Sequence, residues 1–235
     1  MGSPYSHPPR EAERRATLAV VTAGLGEPST SRLLADRLAH AARDQLAARG
    51  RPADVHVVEL RELAGAIADH LVTGFPPARL RDALTEVATA DALIAVTPVF
   101  AASYSGLFKS FFDLLEPDAL HGTPVLMAAT GGTARHSLAL EHAVRPLFGY
   151  LRAPTVPTAV FAAPEDWGGG DRQTGELAAR VERAAGELAD MTAGTRGRAA
   201  GTRGRAAAAP TATDGEAPLD VVPFAEQLAA LSVRN

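Results

Sequence analysis

The chain has 235 residues, with 23 basic and 27 acidic side chains, a formal charge of −4 and no cysteine. That balance excludes a basic nucleic-acid footprint, and the missing cysteines exclude disulfides, thiolate metal sites and cysteine nucleophiles. No apolar run reaches membrane-spanning length and residues 1–15 lack the apolar core of a secretory signal, so the sequence predicts a cytoplasmic protein with one α/β domain and irregular tails.

Residues 1–15 read as a disordered tail. Thr17–Thr22 is a continuous apolar strand, the pattern of a strand covered on both faces. A Gly/Pro loop follows. Ser29–Arg49 is predicted helical because Leu33, Leu34, Leu38, Ala41, Ala42 and Leu46 recur at helical spacing, and Gly50 stops it. Val55–Leu60 is a second strand. Helices over Arg61–His70 and Pro77–Thr89 are parted by a turn at Gly74, Phe75 and Pro76. Asp91–Thr97 and Thr123–Ala129 are the third and fourth strands, with a helix over Leu107–Leu115 between them. A helix over Arg135–Leu151, a fifth strand over Thr155–Ala162 and a helix over Glu176–Met191 complete the domain, residues 16–191. Strands that alternate with helices five times predict an α/β three-layer sandwich with a parallel sheet and right-handed crossovers. Five strands suggest the flavodoxin-like order 2-1-3-4-5.

After Met191 the character changes. Ala193–Ala199 and Ala200–Ala206 are the same seven residues twice, Ala-Gly-Thr-Arg-Gly-Arg-Ala. Residues 192–217 bury no face and read as a flexible linker. Residues 218–235 are apolar again and read as a segment that docks on the domain or on a second subunit.

In a parallel sheet the loops after strands one, three and four leave one edge, where open α/β sheets hold ligands. Here these are Thr22–Ser31, Pro98–Gly106 and Thr130–Arg135, all rich in Gly, Ser and Thr. The first opens a helix, whose amides and dipole suit a phosphate. Ser29, Thr30 and Ser31 add hydroxyls, and Thr22 and Gly24 lie just before them. It matches neither the dinucleotide fingerprint nor the Walker loop, and plain N-capping is its other reading. In the second, Pro98 holds the backbone extended. The small residues Ala101, Ala102, Ser103 and Gly106 let a flat ring lie on main chain. The third, Thr130-Gly131-Gly132-Thr133-Ala134-Arg135-His136, brings backbone to a ligand edge or makes a tight turn. Arg135 reaches an anionic ligand or stays solvated.

Three blocks carry a resemblance: Pro28-Ser29 with Ser31; Thr97-Pro98-Val99-Phe100 with Ala102-Ser103-Tyr104-Ser105-Gly106 and Lys109; and Thr130-Gly131-Gly132 with His136, Leu138-Ala139-Leu140 and Arg145-Pro146. Over roughly residues 17–165 the chain resembles the NAD(P)H-dependent FMN reductases of the flavodoxin-like fold. It is most similar to the branch that supplies reduced flavin to two-component monooxygenases, including the alkanesulfonate-linked reductases. The resemblance implies that Ser29 and Ser31 hold the flavin phosphate with nearby amides, that Pro98, Val99, Phe100 and Ser103 line the isoalloxazine, and that Thr130, Gly131 and Gly132 approach its other edge. Thr22, Gly24, Thr30, Ala101 and Thr133 complete the candidate FMN set, and Arg135 and His136 are candidates for NADPH or NADH. It further implies a homodimer or homotetramer. The chain departs from the family at Ala23, Gly24 and Gly26, where Gly-Ser-x-Arg is usual, and at Phe100 and Ala101, where Tyr-Lys is usual. It has His142 where some relatives insert a tyrosine.

Hydride transfer between two cofactors needs stacking geometry and no protein nucleophile. The candidate loops accordingly hold no paired carboxylates, no Ser-His-Asp order and no histidine cluster spaced for a metal. Trp167, the single tryptophan, reads first as a packing residue and second as a flavin-stacking one. The alternatives are an FMN-bound quinone or azo reductase, a flavodoxin-like electron carrier, and a purely structural module. No nucleic acid or membrane partner is expected.

Overall fold

The structure is a computed structural model. It describes residues 15–168 and 171–194, with the backbone alone at 171–173. The predicted tail up to residue 14, residues 195–217 of the linker and the end segment 218–235 lie outside the described residues. In chain order the elements are β1 (Ala16–Thr22), α1 (Thr30–Ala48), β2 (Ala53–Glu59), α2 (Leu60–Thr73), α3 (Ala78–Thr89), β3 (Ala92–Phe100), β4 (Ser103–Tyr104), α4 (Gly106–Phe112), β5 (Val125–Thr130), α5 (Arg145–Tyr150), β6 (Val160–Ala162), α6 (Glu165–Gly168) and α7 (Asp171–Gly194).

Strands β2, β1, β3, β5 and β6 pair in that order and all in parallel. This is the five-strand order expected from the sequence. The two-residue β4 is an addition: it folds back antiparallel on the end of β3. Period-2 alternation sorts the buried side chains of each central strand into two layers. Ala19 and Val21, Leu93 and Ala95, and Val125, Met127 and Ala129 face one layer, which is closed by α2, α3, α4 and α5. Leu18 and Val20, Ile94 and Val96, and Leu126 and Ala128 face the other, closed by α1 and α7. Both faces of the sheet are therefore dry, which is why these strands read as unbroken apolar runs. Phe112 stacks 4.7 Å from Phe108 and 5.1 Å from Phe148 and so locks α4 to α5.

Three local departures have identifiable causes. The helix expected over Arg135–Leu151 is broken into a 3-10 turn (Ala134–His136), a π-helical segment (Leu140–Val144) and α5. Pro146 has no N–H for the carbonyl of His142 and its ring crowds that group, so the preceding turn opens to the wider spacing. The Arg145 guanidinium then fixes the junction. It makes paired bonds of 2.6 and 2.8 Å to Glu141 and reaches Thr155 Oγ1 at 2.5 Å. The strand expected over Thr155–Ala162 keeps only an isolated bridge at Thr155 and the three residues of β6. Pro157 interrupts it, and Glu187 of α7 accepts from the Thr158 amide and hydroxyl at 2.7 and 2.8 Å. Finally, α7 runs to Gly194, three residues past its expected end. Thr192 is fully buried there. Its carbonyl accepts from Arg51, which also lies 3.5 Å from Asp91 at the amino-terminal margin of the sheet.

Candidate functional site

The carboxyl ends of β1, β3, β5 and β6 lie side by side: Thr22 is level with Val96, Pro98 with Thr130, and Thr130 with Ala162. Hydrogen bonds lace the loops that leave them. The Ala23 amide donates to Val96 O at 3.0 Å, and the Gly131 amide donates to Ala162 O at 3.2 Å. The hydroxyls of Ser31 and Thr130, 99 residues apart, meet at 2.7 Å in a buried contact. The first and third loops are thereby fixed to one another beneath the surface.

Above this lacing opens a cleft of about 510 Å³, within the range of small-molecule sites. Thr30 and Leu33 of α1 form one wall, Pro98, Val99 and Phe100 a second, and Thr130, Gly131 and Gly132 a third. Ala162, Pro164 and Trp167 close the far side. None of these side chains ionises. Among the described residues the cleft therefore offers apolar surface, main chain and hydroxyls, with no ionisable side chain in its walls.

Seven sequence candidates are brought together here: Thr30, Pro98, Val99, Phe100, Thr130, Gly131 and Gly132. The others stand behind or beside them. Ser29 is the N-cap of α1 and accepts from the Arg32 amide at 3.2 Å. Ser31 is buried under the cleft on Thr130. Thr22 is buried, and its hydroxyl has no hydrogen-bond partner among the described residues. Gly24 packs so closely on Ser29 that a Cβ there would lie 2.0 Å from its Oγ. Ala101 and Ala102 form the two-residue tip between β3 and β4, at φ of 48° and 61°, and Ser103 pairs across from Phe100. Thr133 caps the 3-10 turn, where Arg135 and His136 are exposed outside the cleft walls.

The two glycines of the third loop differ in purpose. A Cβ on Gly131 would sit 2.8 Å from Phe161 Cζ, whereas Gly132 has open space around it. Gly131 thus serves packing against β6, and Gly132 leaves main chain bare to the cleft.

Leu33, Ala162, Pro164 and Trp167 are wall residues that sequence reasoning missed or assigned elsewhere. Leu33 belongs to the apolar spacing that predicts α1, yet it follows Thr30 by three positions and so shares its face; it is 45% exposed. Ala162 and Pro164 follow the last strand, whose loop leaves the same edge as the other three.

Ion pairs fix the first loop from outside. Arg61 donates to Glu27, and that bond holds the Glu27 carboxyl below the usual carboxylate range. Arg32 bonds Asp36 at 2.8 Å and also Glu59; the bond to Asp36 raises its pKa first of all. Among the described residues no group of His, Asp and Glu could hold a metal ion, and no helix is long and apolar enough to cross a membrane.

The model of a family described as NADPH-dependent FMN reductase matches residues 16–168. An FMN reductase (NADPH) of Pseudomonas aeruginosa is 41% identical over 143 residues, 61% of this chain and 77% of the relative. The NADH-dependent FMN reductase SfnE of Pseudomonas putida is 43% identical over 130 residues, 55% of this chain and 70% of the relative. Among solved structures, an oxidoreductase of Corynebacterium diphtheriae is similar at a TM-score of 0.74 and 45% identity, over 77% of this chain and 98% of its own.

Proposed function

The chain belongs to the NADPH-dependent FMN reductase family, and we propose that the cleft at the carboxyl edge of its sheet is where it reduces FMN with a nicotinamide nucleotide. Membership makes it an NAD(P)H:FMN oxidoreductase, with FMN and NADPH or NADH as cofactors. One observation carries the placement. The start of α1 and the ends of β3 and β5 converge on a single uncharged cleft, and a buried Ser31–Thr130 bond holds them in register.

The residues fit FMN. A flat, largely apolar ring suits walls of Pro98, Val99, Leu33 and Trp167. The phosphate belongs at the first turn of α1, where amides without intrahelical partners and the positive end of the dipole point outward. Ser29, Thr30 and the main chain at Gly24, packed on Ser29, surround that turn. The Thr22 hydroxyl, buried beneath the loop and without a partner among the described residues, is a donor left over for a ligand.

Bound FMN supplies the hydride-accepting N5, and the nicotinamide supplies the hydride. This chain's own residues orient and shield. Pro98 and Val99 support one face of the ring, and Gly132 lets main chain approach its edge. The described walls carry no ionisable side chain, so none of them moves a proton during hydride transfer. Arg135 and His136, exposed beside the third loop, meet the outer part of the dinucleotide.

The reduced flavin leaves for a separate flavin-dependent monooxygenase. The resemblance in the second loop supports this step, and so does the openness of a cleft that holds its flavin with hydroxyls and main chain rather than with a salt bridge. The exposed Leu138 and Tyr150, on the helical stretch that borders the second and third loops, support assembly into a homodimer or homotetramer.

The test is purified protein with NADPH or NADH and free FMN, followed by loss of reduced-nicotinamide absorbance. The reading predicts turnover that saturates with free FMN. It further predicts reduced flavin in the far compartment when the protein is confined behind a dialysis membrane under anaerobic conditions. Nicotinamide oxidation that ignores added FMN would overturn it.

A further inference from the structure

Trp167 is the only tryptophan in the chain, and the structure holds it firmly. It sits on α6, a single turn anchored by Asp166, whose carboxylate accepts from the Ala163 amide at 2.8 Å and from Arg180 of α7 at 2.9 Å. The Trp167 amide donates to Pro164 O at 3.1 Å. The Arg37 guanidinium, one turn beyond Leu33 on the same face of α1, lies 4.7 Å from the indole centroid, a cation–π contact. Part of the ring is buried against the layer of α1 and α7, and the rest lines the cleft. An indole that served packing alone would end against side chains all round. This one lines the same cleft as Pro98 and Gly132.

We infer that Trp167 is a flavin-contact residue and that Arg37 is a positioning residue acting through it. The inference rests on the FMN reading of the cleft. Flat aromatic ligands gain affinity from a ring of this size placed at contact distance. The Arg37 guanidinium fixes the plane in which the ring is offered.

The chemistry of the indole supplies a specific readout. An indole in contact with a photoexcited flavin passes it an electron and takes it back in the dark, so emission is lost and nothing is consumed. Phenylalanine does not do this. Among the described residues the cleft walls carry two aromatic rings, Trp167 and Phe100, and Tyr104, a phenol that also quenches, stands opposite Val99 on β4. The part of the quenching that Trp167→Phe removes therefore reports the Trp167 contact.

The experiment uses the full chain saturated with FMN, excited in the visible band where indole is transparent, with occupancy read from emission anisotropy. In the native protein bound FMN emits severalfold more weakly than free FMN. Trp167→Phe restores the emission severalfold and raises the FMN dissociation constant roughly tenfold. Arg37→Ala gives intermediate emission with a broader spread of lifetimes, and Arg37→Lys returns the quenched state. Should Trp167→Phe fail to fold, the lifetimes of the native protein and the surface variant Arg37→Ala carry the test. Bound FMN that is equally bright with and without Trp167, at full occupancy, overturns the inference even if the variant is less stable. Arg37→Ala indistinguishable from the native protein overturns the role of Arg37. Anisotropy that shows no FMN bound to the native protein overturns the cofactor reading itself, and this inference with it.

Discussion

The hydroxyl pair under the cleft makes a quantitative claim. Ser31 is 2% and Thr130 5% exposed, and their oxygens meet at 2.7 Å. Ser31→Ala leaves the Thr130 hydroxyl buried without that partner, and Thr130→Val does the converse. Each single change should cost about 1–3 kcal/mol, the penalty of an unsatisfied buried hydroxyl. Removing both replaces the pair by apolar groups of similar shape, which is close to neutral for the pair itself. The double variant should therefore be destabilised by at least about 2 kcal/mol less than the sum of the singles, the two orphan penalties it escapes. In a domain of this size each 1 kcal/mol moves the melting temperature by about 2–4 °C. Urea unfolding and calorimetry of flavin-free protein measure the cycle without ligand linkage. Single-variant losses that add within about 0.3 kcal/mol would refute the reasoning, because independent sites add that closely. FMN affinity of the singles should fall as well, since the same bond aligns two walls of the cleft.

Gly131→Ala should destabilise the fold by about 1–3 kcal/mol through its collision with Phe161. Gly132→Ala, with open space around it, should leave unfolding unchanged and raise the KM for FMN. Equal melting temperatures for the two variants would contradict the assignment. Gly24→Ala, whose Cβ would meet Ser29, should displace the first loop and weaken FMN binding, as read by flavin titration. Ala102→Gly relieves a left-handed alanine at a cost in chain entropy and should raise the melting temperature slightly; Ala102→Val should lower it clearly. Glu141 has its pKa lowered from 4.5 by the bond from Arg145, so the pair's stability is full above that value and is lost as pH falls through the folded pKa. Glu141→Gln should flatten the acid limb of the melting curve. Because the carboxylate is half exposed, it should cost less than about 1 kcal/mol at neutral pH.

The doubly covered sheet was legible because each central strand is apolar on both sides, and its order was suggested by five strands alternating with helices. Of the cleft walls, Thr30 of the first, Pro98, Val99 and Phe100 of the second, and Thr130, Gly131 and Gly132 of the third were legible. The bare glycine and the hydroxyl at a helix start are local signals. What hid the rest was tertiary. Leu33 looks like any other leucine on the stripe of α1 until α6 is placed beside it. Trp167 looks like a packing residue for the same reason. The hairpin at Ala101 and Ala102 lacks the Asn-Gly signature that announces such turns. The π-helical segment before Pro146 arises from a backbone conflict that apolar spacing does not record.

The Arg51 strut has a practical corollary. It ties the last turn of α7 to the margin where β2 and β3 begin, and β1 also begins on that margin. The described fold thus starts and stops on the rim remote from the cleft mouth. A reporter carried at Arg15 or Gly194 therefore sits at the rear of the described fold, away from the cleft mouth.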